Sequence, residues 1–128
     1  MCIRDRFNIN VAGQAASLDG FGGTENAIHG FDQIQTWSIT GNNAGTVNSL
    51  VFSNMNNWIG GSLNDTFTFN GAFQLTGTTG IDGGGGSNTL TVPNVNNSWT
   101  VTGNNTGTIT PTGAVSYTHL TLPTIYSV

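Results

Sequence analysis

The chain has almost no positive charge. Its only basic residues besides two histidines are Arg4 and Arg6, it contains no lysine, and its formal net charge is −4. Nucleic acids are bound through clustered Lys and Arg side chains, and such a cluster is missing here. No apolar run approaches the roughly 20 residues that a membrane-spanning helix needs. We therefore expect neither a nucleic-acid partner nor a membrane span.

The sequence also has only one cysteine and offers no recognisable arrangement of catalytic residues. The single cysteine, Cys2, gives no disulfide framework and so does not indicate a redox compartment. His29 is the only histidine between residues 7 and 113, and no Ser-His-Asp or Cys-His arrangement can be placed around it. A glycoside hydrolase needs two carboxylates at a set separation, and Asp65 and Asp82 make no convincing pair. We therefore expect that the chain is not an enzyme.

Glycine, asparagine and threonine dominate what is present. The chain has 19 glycines, and only 6% of its residues are charged, against about 25% in an average domain. These residues are poor helix formers. Apolar residues alternate with polar ones at Trp37 and Ile39 and again at Phe67 and Phe69, which indicates half-buried strands. The sequence therefore predicts an all-β fold of short strands joined by Gly/Asn turns.

Both ends resemble translated sequencing adapters. Residues 1–5 read MCIRD and residues 115–124 read VSYTHLTLPT, which match the two strands of one transposase adapter. We therefore expect residues 1–6 and 114–128 to be adapter-derived artefacts, which fold reasoning should exclude. Residues 7–113 would be the natural β repeat region, and the natural protein would continue in both directions.

An internal repeat organises this central region. Residues 36–46 read TWSITGNNAGT and residues 98–108 read SWTVTGNNTGT, so Trp37 and Trp99 are equivalent and 62 positions apart. The region therefore holds about two copies of a unit of about 62 residues. Repeats bury their apolar faces against one another, so neighbouring repeats of the same chain are the expected partners. This organisation favours a parallel β-solenoid or β-roll, with a β-sandwich as the alternative.

One nonapeptide carries recognisable chemistry. Residues 60–68, GGSLNDTFT, follow the pattern G-G-x-G-x-D-x-U-x except at Leu63. The glycines allow a tight turn, and carboxylate and carbonyl oxygens are ligands that Ca²⁺ prefers. A second copy, residues 83–91, has Asn88 in place of the aspartate, and a weaker third, residues 20–28, has Glu25 there.

The stretch 57–69 resembles haemolysin-type (RTX) repeats, as they occur in long bacterial surface and adhesin-like proteins. This resemblance implies a secreted or cell-surface location, a β-roll and weakly held Ca²⁺ between stacked turns. The candidate ligands are Gly60, Gly61, Asn64, Asp65, Asp82 and Asn88. A second interpretation stays open, in which Asn64, Asp65 and Asn88 only cap turns through backbone amides.

The expected function is therefore structural, as a repeat segment of a secreted or cell-surface adhesin-like protein. Surface glycans or host surfaces would be bound through other domains. The alternatives are a Ca²⁺-binding module of a secreted enzyme or toxin, and a carbohydrate-active β-helix. Trp37 and Trp99 are expected in the core or as caps of a solenoid turn, because they occupy equivalent positions in the repeat. Trp58 is the better candidate for an exposed aromatic that could stack on a sugar.

Overall fold

A computed structural model describes residues 6–8, 17–77, 80–93, 98–103, 106–110 and 113–116. These residues contain no helix and form thirteen strands, which confirms the all-β prediction. The strands are β1 (Arg6–Asn8), β2 (Ser17–Asp19), β3 (Ala27–His29), β4 (Thr36–Gly41), β5 (Ala44–Val47), β6 (Leu50–Ser53), β7 (Asn57–Ile59), β8 (Thr66–Phe69), β9 (Ile81–Asp82), β10 (Thr89–Thr91), β11 (Ser98–Gly103), β12 (Thr106–Thr110) and β13 (Gly113–Ser116).

The strands form two open, mixed sheets. The seven-stranded sheet has the order β1-β3-β7-β9-β13-β12-β11, and the six-stranded sheet has the order β10-β8-β4-β5-β6-β2. Most neighbours are parallel, but β4-β5-β6 and β11-β12-β13 are antiparallel meanders. In the first meander Asn43 and Asn48 adopt φ angles of 52°, a left-handed conformation that Asn tolerates better than most residues. Asparagine-containing turns therefore reverse the chain and make the sheets mixed.

Three strand-loop-strand segments, residues 27–39, 57–69 and 81–91, stack on one another. Each contributes its first strand (β3, β7 or β9) to the seven-stranded sheet and its second (β4, β8 or β10) to the six-stranded sheet. Trp58 pairs with both Ile28 and Ile81, and Phe67 pairs with both Trp37 and Leu90. The three connecting loops have the same length, residues 30–35, 60–65 and 83–88, and therefore lie in register.

The core lies between the two sheets and is rich in aromatic side chains. The buried apolar residues are Ile28, Trp37, Ile39, Val47, Leu50, Phe52, Met55, Trp58, Phe67, Phe69, Leu75, Ile81 and Ile109. Trp37 stacks on Phe67 with ring centroids 5.2 Å apart, and on Trp58 of the opposite sheet at 6.5 Å. Period-2 alternation thus places Trp37, Ile39, Phe67 and Phe69 inside, as predicted.

The expectation of an exposed Trp58 was wrong. Its side chain is fully buried, and its indole Nε1–H donates to the carbonyl oxygen of Met55 at 2.8 Å. Because Trp58 follows the polar residues Asn56 and Asn57, the sequence shows no apolar alternation that would indicate its burial. The side chain of Trp99 lies outside the described residues.

Strands β1 and β13 include residues from the two segments that resemble sequencing adapters. β1 begins at Arg6, and residues 114–116 of β13 pair with β12, while β13 also pairs with β9. The origin of residues 1–6 and 114–128 stays a prediction.

Candidate functional site

The three stacked loops share a sequence rule. Each begins with glycine, ends five residues later with Gln, Asp or Asn, and is followed by Thr, an apolar residue and Ser or Thr. The last side chain of the loop folds back over the first residue, so that a β-carbon there would clash with it. The clashing pairs are Gly30 with Gln35, Gly60 with Asp65 and Gly83 with Asn88. Glycine is therefore required where each loop begins.

The last side chains of the loops form a buried polar column, which consists of Gln35, Asp65 and Asn88. Their exposed fractions are 0%, 1% and 4%. The Oδ1 atom of Asp65 accepts a hydrogen bond from the backbone N–H of Gln35 at 2.9 Å, and Oδ2 accepts one from Gly61 N–H at 2.8 Å. In the same direction along the stack, Asn88 Oδ1 accepts from Asp65 N–H at 2.8 Å. Side chains of the column thus bind the backbone of the neighbouring loop.

The two amide side chains of the polar column also bind within their own loops. Gln35 Nε2 donates to Phe31 O at 2.6 Å, and Asn88 Nδ2 donates to Gly85 O at 3.0 Å. The Oε1 atom of Gln35 is buried and has no hydrogen-bond partner among the described residues. Most of the polar side-chain atoms of the column therefore form hydrogen bonds with backbone groups.

A second, exposed row of side chains links the same loops. Asp32 Oδ1 accepts from Ser62 N–H at 3.2 Å, and Asn64 Oδ1 accepts from Ser87 N–H at 2.8 Å. Each of these side chains again belongs to one loop and binds the backbone of the next. The loops are consequently joined by side-chain-to-backbone hydrogen bonds both inside and outside.

Burial raises the pKa of the Asp65 carboxyl above its ordinary value. The two backbone N–H groups that it accepts from, those of Gly61 and Gln35, act in the opposite direction without cancelling the effect. A buried carboxylate is costly unless it is paired or hydrogen-bonded. Asp65 is the one ionisable residue of the polar column, and its burial therefore disfavours its charged form.

The structure brings the six candidate Ca²⁺ ligands into neighbouring segments. Gly60, Gly61, Asn64 and Asp65 lie in one loop, and Asn88 ends the adjacent loop. Asp82 lies in β9, directly before that adjacent loop; its backbone oxygen accepts from Gly60 N–H at 2.8 Å, and its Oδ1 accepts from Gly84 N–H at 3.0 Å. Within the described parts of the chain, no three His, Cys, Asp or Glu side chains cluster closely enough to hold a metal ion. Ca²⁺ binding stays a prediction.

The nonapeptide pattern does not identify the loop that ends at Gln35. The pattern requires paired glycines followed by an acidic residue, whereas this loop has one glycine and ends in an amide. The shared pattern Gly-x₄-(Gln/Asp/Asn)-Thr-apolar-(Ser/Thr) would have found all three loops.

The third nonapeptide, residues 20–28, lies at the opposite end of β3. There Asn26 Nδ2 donates to the carbonyl oxygens of Gly20 at 2.6 Å and Asn54 at 3.1 Å, so side chains support the backbone at that end too.

His29 lies in strand β3 beside a surface cleft of about 500 Å³, which Asn8, Asp32 and Gln33 help to line. Arg6 Nη2 donates to His29 Nδ1 at 3.3 Å. Burial and, secondarily, the Arg6 charge lower the pKa of His29, while Asp82 acts against them. His29 thus ends strand β3 at the edge of this cleft.

No protein-family model, curated protein or solved structure matches this chain. No helix among the described residues is long and apolar enough to cross a membrane. The fold and the candidate site define an all-β molecule whose stacked loops are joined by polar side chains.

Proposed function

We propose that the chain is a structural repeat segment of a secreted or cell-surface adhesin-like bacterial protein, folded as a β-solenoid or β-roll, and that its role is extension and display rather than catalysis. One observation carries the proposal. Three loops lie in register, and the buried side chains that end two of them, Asp65 and Asn88, each accept a hydrogen bond from the backbone of the neighbouring loop.

The hydrogen bonds of the polar column support a structural role. A net hydrogen bond contributes about 1 kcal/mol, and an unsatisfied buried donor costs about 1–3 kcal/mol. Both carboxylate oxygens of Asp65 already accept backbone N–H groups, and Asn88 Oδ1 accepts another. Two bonds of the column, from Gln35 N–H to Asp65 and from Asp65 N–H to Asn88, thus hold one loop against the next, which is what an extended stack requires.

The composition and the motif resemblance support the proposed location. A charged fraction of 6% and an abundance of Gly, Asn and Thr fit a repetitive exported protein. The similarity of residues 57–69 to haemolysin-type repeats points the same way. Display would follow from the stack itself, because each added repeat lengthens it without requiring a new core.

Thermal unfolding with Ca²⁺ or with EDTA tests the proposal. We expect the wild-type chain to unfold at the same temperature in millimolar CaCl₂ and in EDTA, because backbone amides occupy both Asp65 oxygens. Asp65→Ala should lower the free energy of unfolding by about 2–3 kcal/mol, since two buried N–H groups lose their acceptor.

Asp65→Asn is the matched variant. An amide already occupies the equivalent place in the next loop at Asn88, so this variant should fold and be as indifferent to Ca²⁺ as the wild type. A Ca²⁺-dependent rise in the unfolding temperature that Asp65→Asn abolishes would contradict the proposal. That result would establish a Ca²⁺-binding module instead.

A further inference from the structure

The pairing of strands repeats along the chain, residue by residue. Four pairings of the first seven strands recur in the next six with the same partners and the same direction, shifted by 60–63 positions. They are β1-β3 and β8-β10, β2-β6 and β9-β13, β4-β5 and β11-β12, and β5-β6 and β12-β13. Even the register shift recurs, before Gly41 in β4 and before Gly103 in β11. One structural unit therefore comprises seven strands, β1–β7, and a second begins at β8.

Equivalent strands of the two units lie in opposite sheets. β4, β5 and β6 belong to the six-stranded sheet, whereas β11, β12 and β13 belong to the seven-stranded sheet. Conversely, β1 and β3 lie in the seven-stranded sheet, and β8 and β10 in the six-stranded sheet. Equivalent strands of successive units thus lie in opposite sheets, and we expect equivalent strands two units apart to lie in the same sheet.

Two strands of the second unit have fewer neighbours than their counterparts. In the first unit β3 also pairs in parallel with β7, and β4 pairs in parallel with β8. The counterparts of β3 and β4 are β10 and β11. Among the described residues, each of these lies at the edge of its sheet with one neighbour. The missing neighbours are the equivalents of β7 and β8, which the six-residue loop joins into one segment.

We propose that the outer edges of β10 and β11 are a docking surface for residues equivalent to 57–69 of a further copy of the unit. This inference deepens the proposed function and rests on it, in that the parent protein must supply more copies. The pairing of β4 with β8 in the first unit predicts the register between β11 and the incoming strand. Trp37 pairs with Phe67 and Ser38 with Thr68, so Trp99 and Thr100 should pair with the Phe and Thr of the incoming strand.

The docking surface also sets the dimensions of the stack. Two units contribute seven strands to one sheet, as the order from β1 to β11 shows. With neighbouring strands about 4.8 Å apart, two units extend the stack by about 34 Å and one unit by about 17 Å. Open strand edges otherwise favour unspecific association, and an incoming unit would cover both edges at once.

The test inserts residues 54–116 a second time between Ser116 and Tyr117 of the full chain. Residues 54–116 follow β6 as the inserted copy would follow β13. We expect the amides of β10 and β11 to gain at least tenfold protection from hydrogen exchange. The urea m-value should rise by about half, in proportion to the added buried surface. The longest dimension in small-angle X-ray scattering should grow by about 17 Å.

A proline in the inserted copy provides the matched control. Thr66 N–H donates to Gln35 O and Asn70 N–H to Ile39 O, so the two-residue period points Thr68 N–H toward β4 as well. In the inserted copy this group would face β11. Thr68→Pro placed only there removes the donor from an interior strand and should abolish the added protection of β11.

Unchanged protection of β10 and β11 in the extended chain would overturn the inference. It would leave the proposed function standing, because the Ca²⁺ and Asp65 measurements on the original chain do not depend on the insertion. Added protection of β11 that persists in the proline variant would also overturn the inference, because pairing with the inserted β8 equivalent would then not be its cause.

Discussion

Phe21 occupies a backbone conformation that the second unit assigns to glycine. Its φ is 50°, and its counterpart 63 positions later, Gly84, has a φ of 68°. In both places the N–H group donates to the aspartate two residues earlier, Asp19 at 2.9 Å and Asp82 at 3.0 Å. The left-handed region costs a residue with a β-carbon about 1–2 kcal/mol, and 78% of the Phe21 side chain is exposed. The aromatic ring thus recovers little of that cost through burial.

Phe21→Gly should therefore stabilise the chain by about 1 kcal/mol, because glycine adopts positive φ freely even though it adds entropy to the unfolded state. Urea unfolding measures the difference. Ile34→Gly is the control, since Ile34 is also an exposed apolar loop residue, at 68%, but has no positive φ. It should be neutral or destabilising. An equal gain in both variants would show that removal of exposed apolar surface, and not backbone strain, is the cause.

The six-residue loops are the elements in which a shared sequence pattern leads to the stacking of neighbouring segments. The nonapeptide pattern predicts that Asp65 and Asn88 end equivalent loops, because a turn of fixed length places its last side chain consistently. It does not reveal Gln35 as their partner, since pairing with residues 30 positions away determines which loops become neighbours. Asp82, a further candidate ligand, lies outside the nonapeptides, in the strand directly before the third loop. Local patterns thus specify the loop, and long-range register specifies the polar column.

Gly60→Ala tests the loop rule. The new methyl group would meet Asp65 Oδ2 and the carbonyl oxygen of Gly83, so either the carboxylate or the next loop must move. We expect a loss of about 2–4 kcal/mol in the free energy of unfolding, which combines overpacking with a disrupted buried hydrogen bond.

Gly22→Ala is the control for this loop variant. A β-carbon at Gly22 would have no neighbour within 4 Å, and its φ is not positive. Alanine there should be neutral or stabilising by up to about 1 kcal/mol. Equal losses at the two positions would contradict the steric rule and indicate a general intolerance of these turns to alanine.

At the scale of the whole molecule, the repeat can be recognised in the sequence, but the placement of equivalent strands in opposite sheets cannot. The Trp37 and Trp99 stretches show that two units are equivalent. Their placement in different sheets depends on the number of connections per unit that cross between the sheets. Five of the seven connections from β1 to β8 do so, and because five is odd, equivalent strands of successive units fall in opposite sheets. Several of those strands are only two or three residues long, too short for periodicity to reveal, so the count could not be read in advance.

Two carboxyl groups shift the stability of the whole molecule with pH in opposite directions. The side-chain amide of Asn54 and, secondarily, the N–H of Phe21 lower the pKa of Asp19. The native state therefore favours the charged form, and this contribution is lost as the pH falls below the ordinary value of 3.8. The pKa of Asp65 is raised, so the native state binds its proton more tightly than the unfolded state does. Its destabilising effect is present at neutral pH and disappears as the pH falls toward 3.8.

Asp65→Asn isolates the second effect, because the variant and the wild type share Asp19, Asp32, Asp82 and His29. The variant removes a buried charge, but its amide oxygen can accept from only one of the two N–H groups, those of Gly61 and Gln35, that the carboxylate accepts from. We expect the stability of the variant relative to the wild type to be greatest at pH 7, and this advantage to shrink steadily as the pH falls toward 4 and the wild-type carboxylate is protonated. Urea unfolding of both chains between pH 4 and 8 measures the difference. An advantage that grows at low pH would mean that the native state stabilises the Asp65 carboxylate, and that its hydrogen bonds to Gly61 and Gln35 outweigh the cost of its burial.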